Sequence, residues 1–300
     1  MPSADAPLAP GLYLVATPIG NLDDITLRAL DVLRRVDRIA CEDTRQTQKL
    51  LNHFQIARPT VSCHTHNERQ RSHTLVKDLQ ADARIALVSD AGTPGISDPG
   101  TWLVAAAIAA GVRVIPIPGA NAAISALIAS GLWTGNFHFV GFLPEKAGAR
   151  CTRLETLAND ASHSDLPPTL IFHEAPHRVL GTLADIEAIW GPATDVVVAR
   201  ELTKIHEEFL RGPVADVRRE LASRDRIRGE ITLLVETPAP DGPAAAHGLI
   251  SAETIADRVS RLQAENGIEE KEALKHLARK LGRSKSDLYR ELQRERACRR

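Results

Sequence analysis

The stretch SDAGTPGISDPG at 89–100 has the composition of a loop built around a small ligand. Three glycines and two prolines make its path sharp and rigid, glycine lets backbone approach a bound molecule closely, and Asp90 and Asp98 add carboxylates. The G-x-x-x-x-G-K-[ST] pattern is absent, and no G-x-G-x-x-G joins a strand to a helix, so neither a phosphate loop nor a dinucleotide fingerprint is present. Two further Pro/Gly loops, TPIGN at 17–21 and the start of PIPGANAAISAL at 116–127, follow strands in the same half of the chain. Three such loops on one sheet edge make a small-molecule cleft; a purely structural loop is the alternative for any one of them.

Charged residues gather in three other places. CEDTR at 41–45 sets Glu42, Asp43, Thr44 and Arg45 where a strand meets a helix. A carboxylate there can orient or deprotonate a hydroxyl, while Asp43 or Thr44 can equally cap the helix. FHEAPHRVL at 172–180 gives His173 and His177 the i,i+4 spacing of a metal pair, but Pro176 keeps them out of one helix and no third ligand is placed nearby, so no metal is expected. Glu174 and Arg178 are better candidates for substrate or cofactor contacts. ARELTKIHEEFLRG at 199–212 is dense in Arg200, Glu201, Lys204, His206 and Glu207, the pattern of either a binding loop or a charged hairpin. No G-x-S-x-G elbow occurs. The four cysteines (Cys41, Cys63, Cys151, Cys298) form no C-x-x-C pair and read as incidental thiols of a reducing compartment.

The elements that must hold these loops follow from periodicity. Strand-like runs at 12–17, 38–42, 61–64, 85–89 and 112–117 alternate with helical patterns at 25–36, 44–54, 68–82 and 101–110. Repeated strand–helix units imply a parallel sheet covered on both faces, with ligands beyond the carboxyl ends of its strands. The middle third has five strand candidates (137–142, 169–173, 195–200, 206–212, 230–236) and fewer helices, which predicts a second, mixed-sheet domain. The expected organisation is therefore α/β, with domains at 11–142 and 143–236, a Pro/Ala/Gly-rich linker at 237–250 and a helical appendage at 251–300. In the appendage Ala273, Leu274, Leu277, Ala278 and Leu281 form one stripe, Gly282 ends it, and Ser284 with Asp287 offers a cap for the next helix, the pattern of either a helix-turn-helix or a small solvated helical cap.

An apolar fraction of 43% and a charged fraction of 25% are those of an ordinary globular protein. No apolar run reaches membrane-spanning length and the first residues lack a secretory pattern, so the cytoplasm is the expected compartment. The net charge of −1 hides an asymmetry: 13 Lys/Arg and 9 Asp/Glu from Ser251 onward, against 24 and 29 before it. A basic tail on an acidic body is one way to hold a polyanion. Aromatic residues are only 4%, so if the polyanion is an RNA, charge and shape must hold it rather than stacking platforms.

Taken in order, LYLVATPIGNLDDITLRAL, VSDAGTPGISDPG, PIPGANAAISALIASGL, LIFHEAPHRVL and ARELTKIHEEFLRG closely resemble the tetrapyrrole (corrin/porphyrin) methylase superfamily, in its branch acting on small-subunit ribosomal RNA. The resemblance implies two α/β domains of the tetrapyrrole-methylase type, S-adenosylmethionine in the cleft between them, a homodimer, and 2′-O-methylation of a cytidine in the decoding region of 16S rRNA. Carried over by position, it implies cofactor contacts from Asp90, Ala91, Gly92, Thr93 and Ile96, and from Ser125 and Ala126. It also implies contacts from Phe172, His173 and Glu174, from Leu202, and from Gly229 and Glu230. Ser125 stands where close relatives have Thr and keeps the hydroxyl; Pro18 and Gly20 are the best equivalents of a more glycine-rich first loop. Glu42 or Asp43 would orient or deprotonate the ribose hydroxyl, and Arg45, Arg178 and Lys204 would hold flanking phosphates. A tetrapyrrole or translation-factor methylase, and a helix-turn-helix regulator using Arg283, Lys285 and Arg290, are the competing readings.

Overall fold

The computed structural model describes residues 7–164, 166–237, 259, 262, 263, 267–280 and 284–298. The chain forms two compact units, Met1–Pro238 and Ala239–Arg300. The first unit opens with a five-stranded sheet in the order β3-β2-β4-β1-β5. Its strands are β1 (Gly11–Val15), β2 (Arg38–Cys41), β3 (Thr60–Ser62), β4 (Arg84–Val88) and β5 (Val114–Ile117), and every pairing is parallel. Alternation along each strand separates two cores. Tyr13, Val15, Ala86 and Val88 face α1 (Leu27–Arg35) and α2 (Thr44–His53). Leu12, Ile85 and Leu87 face α3 (Glu68–Gln80) and α4 (Thr101–Ala109).

The order of the strands arranges the chemistry. Because β2, β4, β1 and β5 are neighbours in that sequence, the segments leaving their carboxyl ends lie side by side: 42–43, 89–100, 16–21 and 118–121.

The second sheet runs β6-β7-β10-β8-β9, from β6 (Phe137–Phe142), β7 (Thr169–Glu174), β8 (Asp195–Arg200), β9 (Glu208–Pro213) and β10 (Ile231–Glu236). β6 pairs parallel with β7 and the other pairings are antiparallel, so the sheet is mixed, as the sparser helices of the middle third imply. One face packs Leu170, Phe172, Val198 and Leu233 against α6 (Ala147–Ser162), α7 (Val179–Trp190) and α8 (Val214–Ala222). The other receives α5 (Ala122–Ser130), which leaves the first sheet and buries Ala123, Ala126 and Leu127 against Ile171, Val197, Ala199 and Leu234. Alanines let this helix lie close to the sheet. Arg211 of β9 fastens it, donating to the carbonyls of Ala129 (2.7 Å) and Ser130 (3.1 Å) at the helix C-terminus, where a cation is favoured.

In the second unit α9 (Glu270–Lys280) and α10 (Lys285–Cys298) enclose a small core of Val259, Ala273, Leu274, Leu277, Ala278, Leu288 and Leu292. Four residues of the helical stripe read from the sequence, Ala273, Leu274, Leu277 and Ala278, belong to that core; its fifth, Leu281, Gly282 and the linker beyond Thr237 lie outside the described residues. Among the described residues no helix is long and apolar enough to cross a membrane.

Candidate active site

The loops at the carboxyl edge of the first sheet are stitched into one body. Thr17 and Gly92 exchange backbone hydrogen bonds, Thr17 N to Gly92 O at 2.9 Å and Gly92 N to Thr17 O at 3.0 Å. The Ser89 hydroxyl donates to Gly92 O (2.9 Å) and the Thr17 hydroxyl to Ser89 O (3.1 Å). The Thr93 hydroxyl donates to Ala120 O at 3.1 Å, tying in the segment before α5. That segment ends on Asn121, whose side chain caps α5 by accepting from Ile124 N at 3.0 Å. The far end of the 89–100 loop is anchored from below. Glu68, buried at the start of α3, accepts from the backbone N–H groups of Gly100 (3.0 Å), Trp102 (2.8 Å) and Leu103 (3.2 Å). A carboxylate there satisfies the unpaired N–H groups that open α4 and suits the helix dipole.

Opposite this body stands the edge of the second sheet, and between them lies a cleft of about 430 Å³. Its apolar walls include Ile19, Ile96, Ala122, Phe142, Leu202 and Ile231, and its polar side chains are Ser97, Asp98, His173, Glu174, Glu230 and Thr232. Predominantly apolar walls with a few placed polar groups are what a small organic ligand requires. The two sides also touch at the rim. Asn21 N donates to the Thr203 hydroxyl at 3.0 Å, and Gly20 lies so close to the 202–204 loop that a Cβ would sit 2.4 Å from Lys204 Cγ and 3.0 Å from Leu202 O. Glu201 (φ 53°) and Thr203 (φ 65°) hold left-handed backbone in that loop, a cost other contacts must offset.

The electrostatics of the mouth are dominated by carboxylates. Asp98 is pushed up to about 6, first by burial and then by Glu42 and Asp90. Glu42 is raised by burial and by Asp90. Asp43 behaves oppositely: Arg45 donates to it from side chain and backbone, which holds it below the usual carboxylate range. Asp43 Oδ1 accepts from Arg45 N at 2.8 Å and so caps α2. Burial lowers His173, so its ring, set against Phe139 and Phe142, favours the neutral form.

The residues singled out from the sequence are distributed unevenly around the cleft. Ala91, Ile96, His173, Glu174, Leu202, Gly229 and Glu230 line it. Asp90 accepts from Asp43 N at 3.2 Å, joining the β2 and β4 loops. Gly92, Thr93, Pro18 and Gly20 build the frame behind the walls, and Ser125 lies on α5 one turn past Ala122. Ala126 is buried between α5 and the second sheet. Phe172 points to the opposite face of β7, since strand neighbours alternate. Glu174 accepts from Ala175 N (2.8 Å) and the Thr182 hydroxyl (2.6 Å), and faces Arg178 at 3.3 Å. Arg178 also donates to the carbonyls of Leu143 (2.9 Å) and Pro144 (3.0 Å). Lys204 is held by Glu201 (2.8 Å) and Glu230 (3.1 Å), whereas Arg45 projects into solvent from its pair with Asp43. Asp98, read from the sequence as a loop carboxylate, also lines the cleft, and the wall residues Ile19, Ser97, Ala122, Phe142, Ile231 and Thr232 are additional to that set. Ile19, Ser97 and Ala122 sit within the motifs, so position there was their signal; Phe142, Ile231 and Thr232 lie on β6 and β10, which were read only as strands.

A parallel α/β half, a mixed α/β half and a cleft at the loop edge between them define the class. The chain belongs to the Tetrapyrrole (Corrin/Porphyrin) Methylases, which it matches over residues 11–218. It is 46% identical over 278 residues to the Ribosomal RNA small subunit methyltransferase I of Synechocystis sp., covering 93% of this chain and 95% of that protein. It is 51% identical over 226 residues to the protein of that name from Pasteurella multocida, covering 75% and 78%. Among solved structures it resembles a cobalamin biosynthetic enzyme, cobalt precorrin-4 methyltransferase, with a TM-score of 0.52 and 17% identity over 75% of this chain and 94% of that one. A conserved hypothetical protein of Aeropyrum pernix K1 gives a TM-score of 0.59 and 16% identity over 82% and 96%. At these identities the structural likeness concerns the fold.

Proposed function

We propose that this protein transfers a methyl group from S-adenosylmethionine to the ribose 2′-oxygen of a cytidine in the decoding region of 16S rRNA, within the small ribosomal subunit. It acts in the cytoplasm and as a homodimer. The observation that carries the reading is the identity of 46% spanning 278 residues, 93% of the chain, to a relative named for that subunit's RNA.

The residues present fit the cofactor. A nucleoside and a methionine chain need apolar walls with polar groups at the ends, and the cleft offers Ile19, Ala122, Leu202 and Ile231 beside Asp98, Glu230 and Thr232. In this reading the turn Asp90–Thr93, Ile96 and the 16–21 loop hold it from the first half, and His173, Leu202, Gly229 and Glu230 hold it from the second. Glu174 borders the cradle, and Pro18, Gly20, Ser125, Ala126 and Phe172 shape it from behind. When bound, the cofactor supplies an electrophilic methyl on a sulfonium. The chain supplies positioning, which accounts for much of the acceleration of such a transfer. Glu42 takes the proton of the ribose hydroxyl, its raised proton affinity suiting a base better than the depressed one of Asp43. Asp43 orients the β2–α2 turn, Arg178 and Lys204 brace the rim, and Arg45 is left to meet a phosphate.

The test is incubation of unmodified small subunits, a porphyrin precursor and a translation factor with methyl-labelled S-adenosylmethionine. Label in 16S rRNA alone is expected. Label in the porphyrin or the protein, with none in RNA, would overturn the acceptor.

A further inference from the structure

Beside the cofactor cleft lies a second hollow, of about 550 Å³, whose wall carries Arg200, Arg224, Arg226 and Arg228 together with His206. Only two acidic side chains, Glu201 and Asp225, share that wall. Two of the arginines are fixed in place. Glu208 accepts from Arg200 Nε at 2.9 Å and from both terminal nitrogens of Arg224, at 2.7 and 2.6 Å. The hydrogen bonds from Arg224, then those from Arg200, bring the Glu208 carboxyl down to about 2, so this clamp stays charged. Arg200 also donates to the carbonyl of Arg228 at 3.3 Å, which pins the segment following α8. Arg226 and Arg228 are then presented outward, and no ion pair involves either among the described residues.

The two hollows meet at one residue and lie on opposite sides of the 199–202 segment, whose Ala199 and Leu202 line the first and Arg200 and Glu201 the second. Gly229 lines both. It has φ +93°, and a Cβ there would lie 2.4 Å from Glu201 Cγ. Glu201 passes beneath it to accept from Glu230 N at 2.9 Å and to hold Lys204. At the tip of the same loop Ile205 is 97% exposed next to His206. A basic hollow with an apolar tip at its edge suits a polymer that carries bases as well as phosphates better than a lone inorganic anion.

We propose that the Arg226–Arg228 hollow binds the phosphodiester backbone of single-stranded RNA next to the nucleotide that enters the cleft. This rests on the acceptor assigned under Proposed function and replaces Arg178 and Lys204, whose cationic groups are engaged within the rim, as the phosphate contact. Guanidinium forks match phosphate oxygens in pairs, and each phosphate neutralised releases counterions, so the site has a signature in salt dependence.

The experiment measures methyl transfer to unmodified small subunits by the full-length wild type, Arg226→Gln/Arg228→Gln, Arg226→Lys/Arg228→Lys, and a control pair exposed on α1, Arg28→Gln/Arg34→Gln. The glutamine pair is expected to raise KM for subunits about tenfold or more. It should lower the salt slope of binding by about 1–2, at about 0.7–0.9 per phosphate contact. Its kcat and its calorimetric affinity for S-adenosylmethionine stay within about twofold of wild type. The lysine pair recovers most of the salt slope, and the control pair behaves as wild type. A wild-type KM and salt slope in the glutamine pair would overturn the hollow alone. A wild type that methylates no RNA would overturn the acceptor reading instead.

Discussion

Single carboxylates do two different jobs around this cleft, and their surroundings decide which. Glu68 is structural: buried, with three backbone donors on one oxygen, it fixes the exit of the 89–100 loop. Glu68→Ala is expected to cost about 2–4 kcal/mol, since hydrogen bonds to a charged acceptor are worth about 1.5–3 kcal/mol and buried donors are left unpaired. Denaturant titration measures that loss, and Glu68→Gln should lose less. Asp98 has the opposite character. Its carboxyl titrates near 3.8 when unfolded and about 6 in the fold, so the fold favours the protonated form. That contribution is fully present below about pH 4 and is lost as pH rises through 6. Asp98→Asn is therefore expected to raise Tm at pH 8, by about 2–4 °C for each ~1 kcal/mol regained in a unit of this size. At pH 4 it should leave Tm unchanged. Parallel Tm profiles for wild type and variant between pH 4 and 8 would contradict this account. Retaining a carboxylate that weighs against folding at neutral pH fits a site awaiting a cationic ligand.

At the scale of elements, the cleft depends on how closely two loops can meet. Gly20 and the 202–204 loop approach too tightly for a side chain, so Gly20→Ala must push the rim apart. The expected result is at least a fivefold weaker calorimetric affinity for S-adenosylmethionine with a Tm shift under about 4 °C, because the cores behind the loops are untouched. An unchanged affinity would show that the rim contact is not needed for binding.

Much of this level was legible in the sequence. Apolar runs located the strands of both halves, and helical periods the first four helices, to within a few residues; the helices of the second half were expected only as fewer, without positions. Pro/Gly density marked the three loops that Thr17, Gly92, Thr93 and Ala120 bind together. What periodicity did not reveal is facing. Phe172 and His173 are adjacent in one motif, yet β7 turns one into the helical core and the other into the cleft. Ala122 and Ala126 share a stripe of α5, yet one meets the cleft and the other the second sheet, because the helix crosses from one to the other. The engagement of Arg178 and Lys204 depended on carbonyls and carboxylates distant in sequence, such as Leu143 and Glu230, which no local pattern reports.

For the molecule as a whole, α5 makes one body of two sheets: it belongs by sequence to the first half and by packing to the second. Its outer side, with that of α4, still presents Trp102, Ile108, Ile124 and Ile128 to solvent. α4 carries no charged residue along its length, and helices apolar all round are normally covered. That supports pairing with a second copy. Light scattering is expected to give a dimer mass for the wild type and a monomer mass for Ile108→Glu/Ile128→Glu; a dimer mass for the variant would place the contact elsewhere. The central claim, that this cleft methylates a ribose of the small subunit's RNA, is tested most directly by mapping the product. Unmodified subunits are treated with enzyme and labelled S-adenosylmethionine, the RNA is cut into fragments assigned to its sequence, and the labelled fragment is digested to nucleosides. The account predicts label in 2′-O-methylcytidine from a single decoding-region position, lost in Glu42→Gln; label on a base, or none in 16S rRNA, would contradict it.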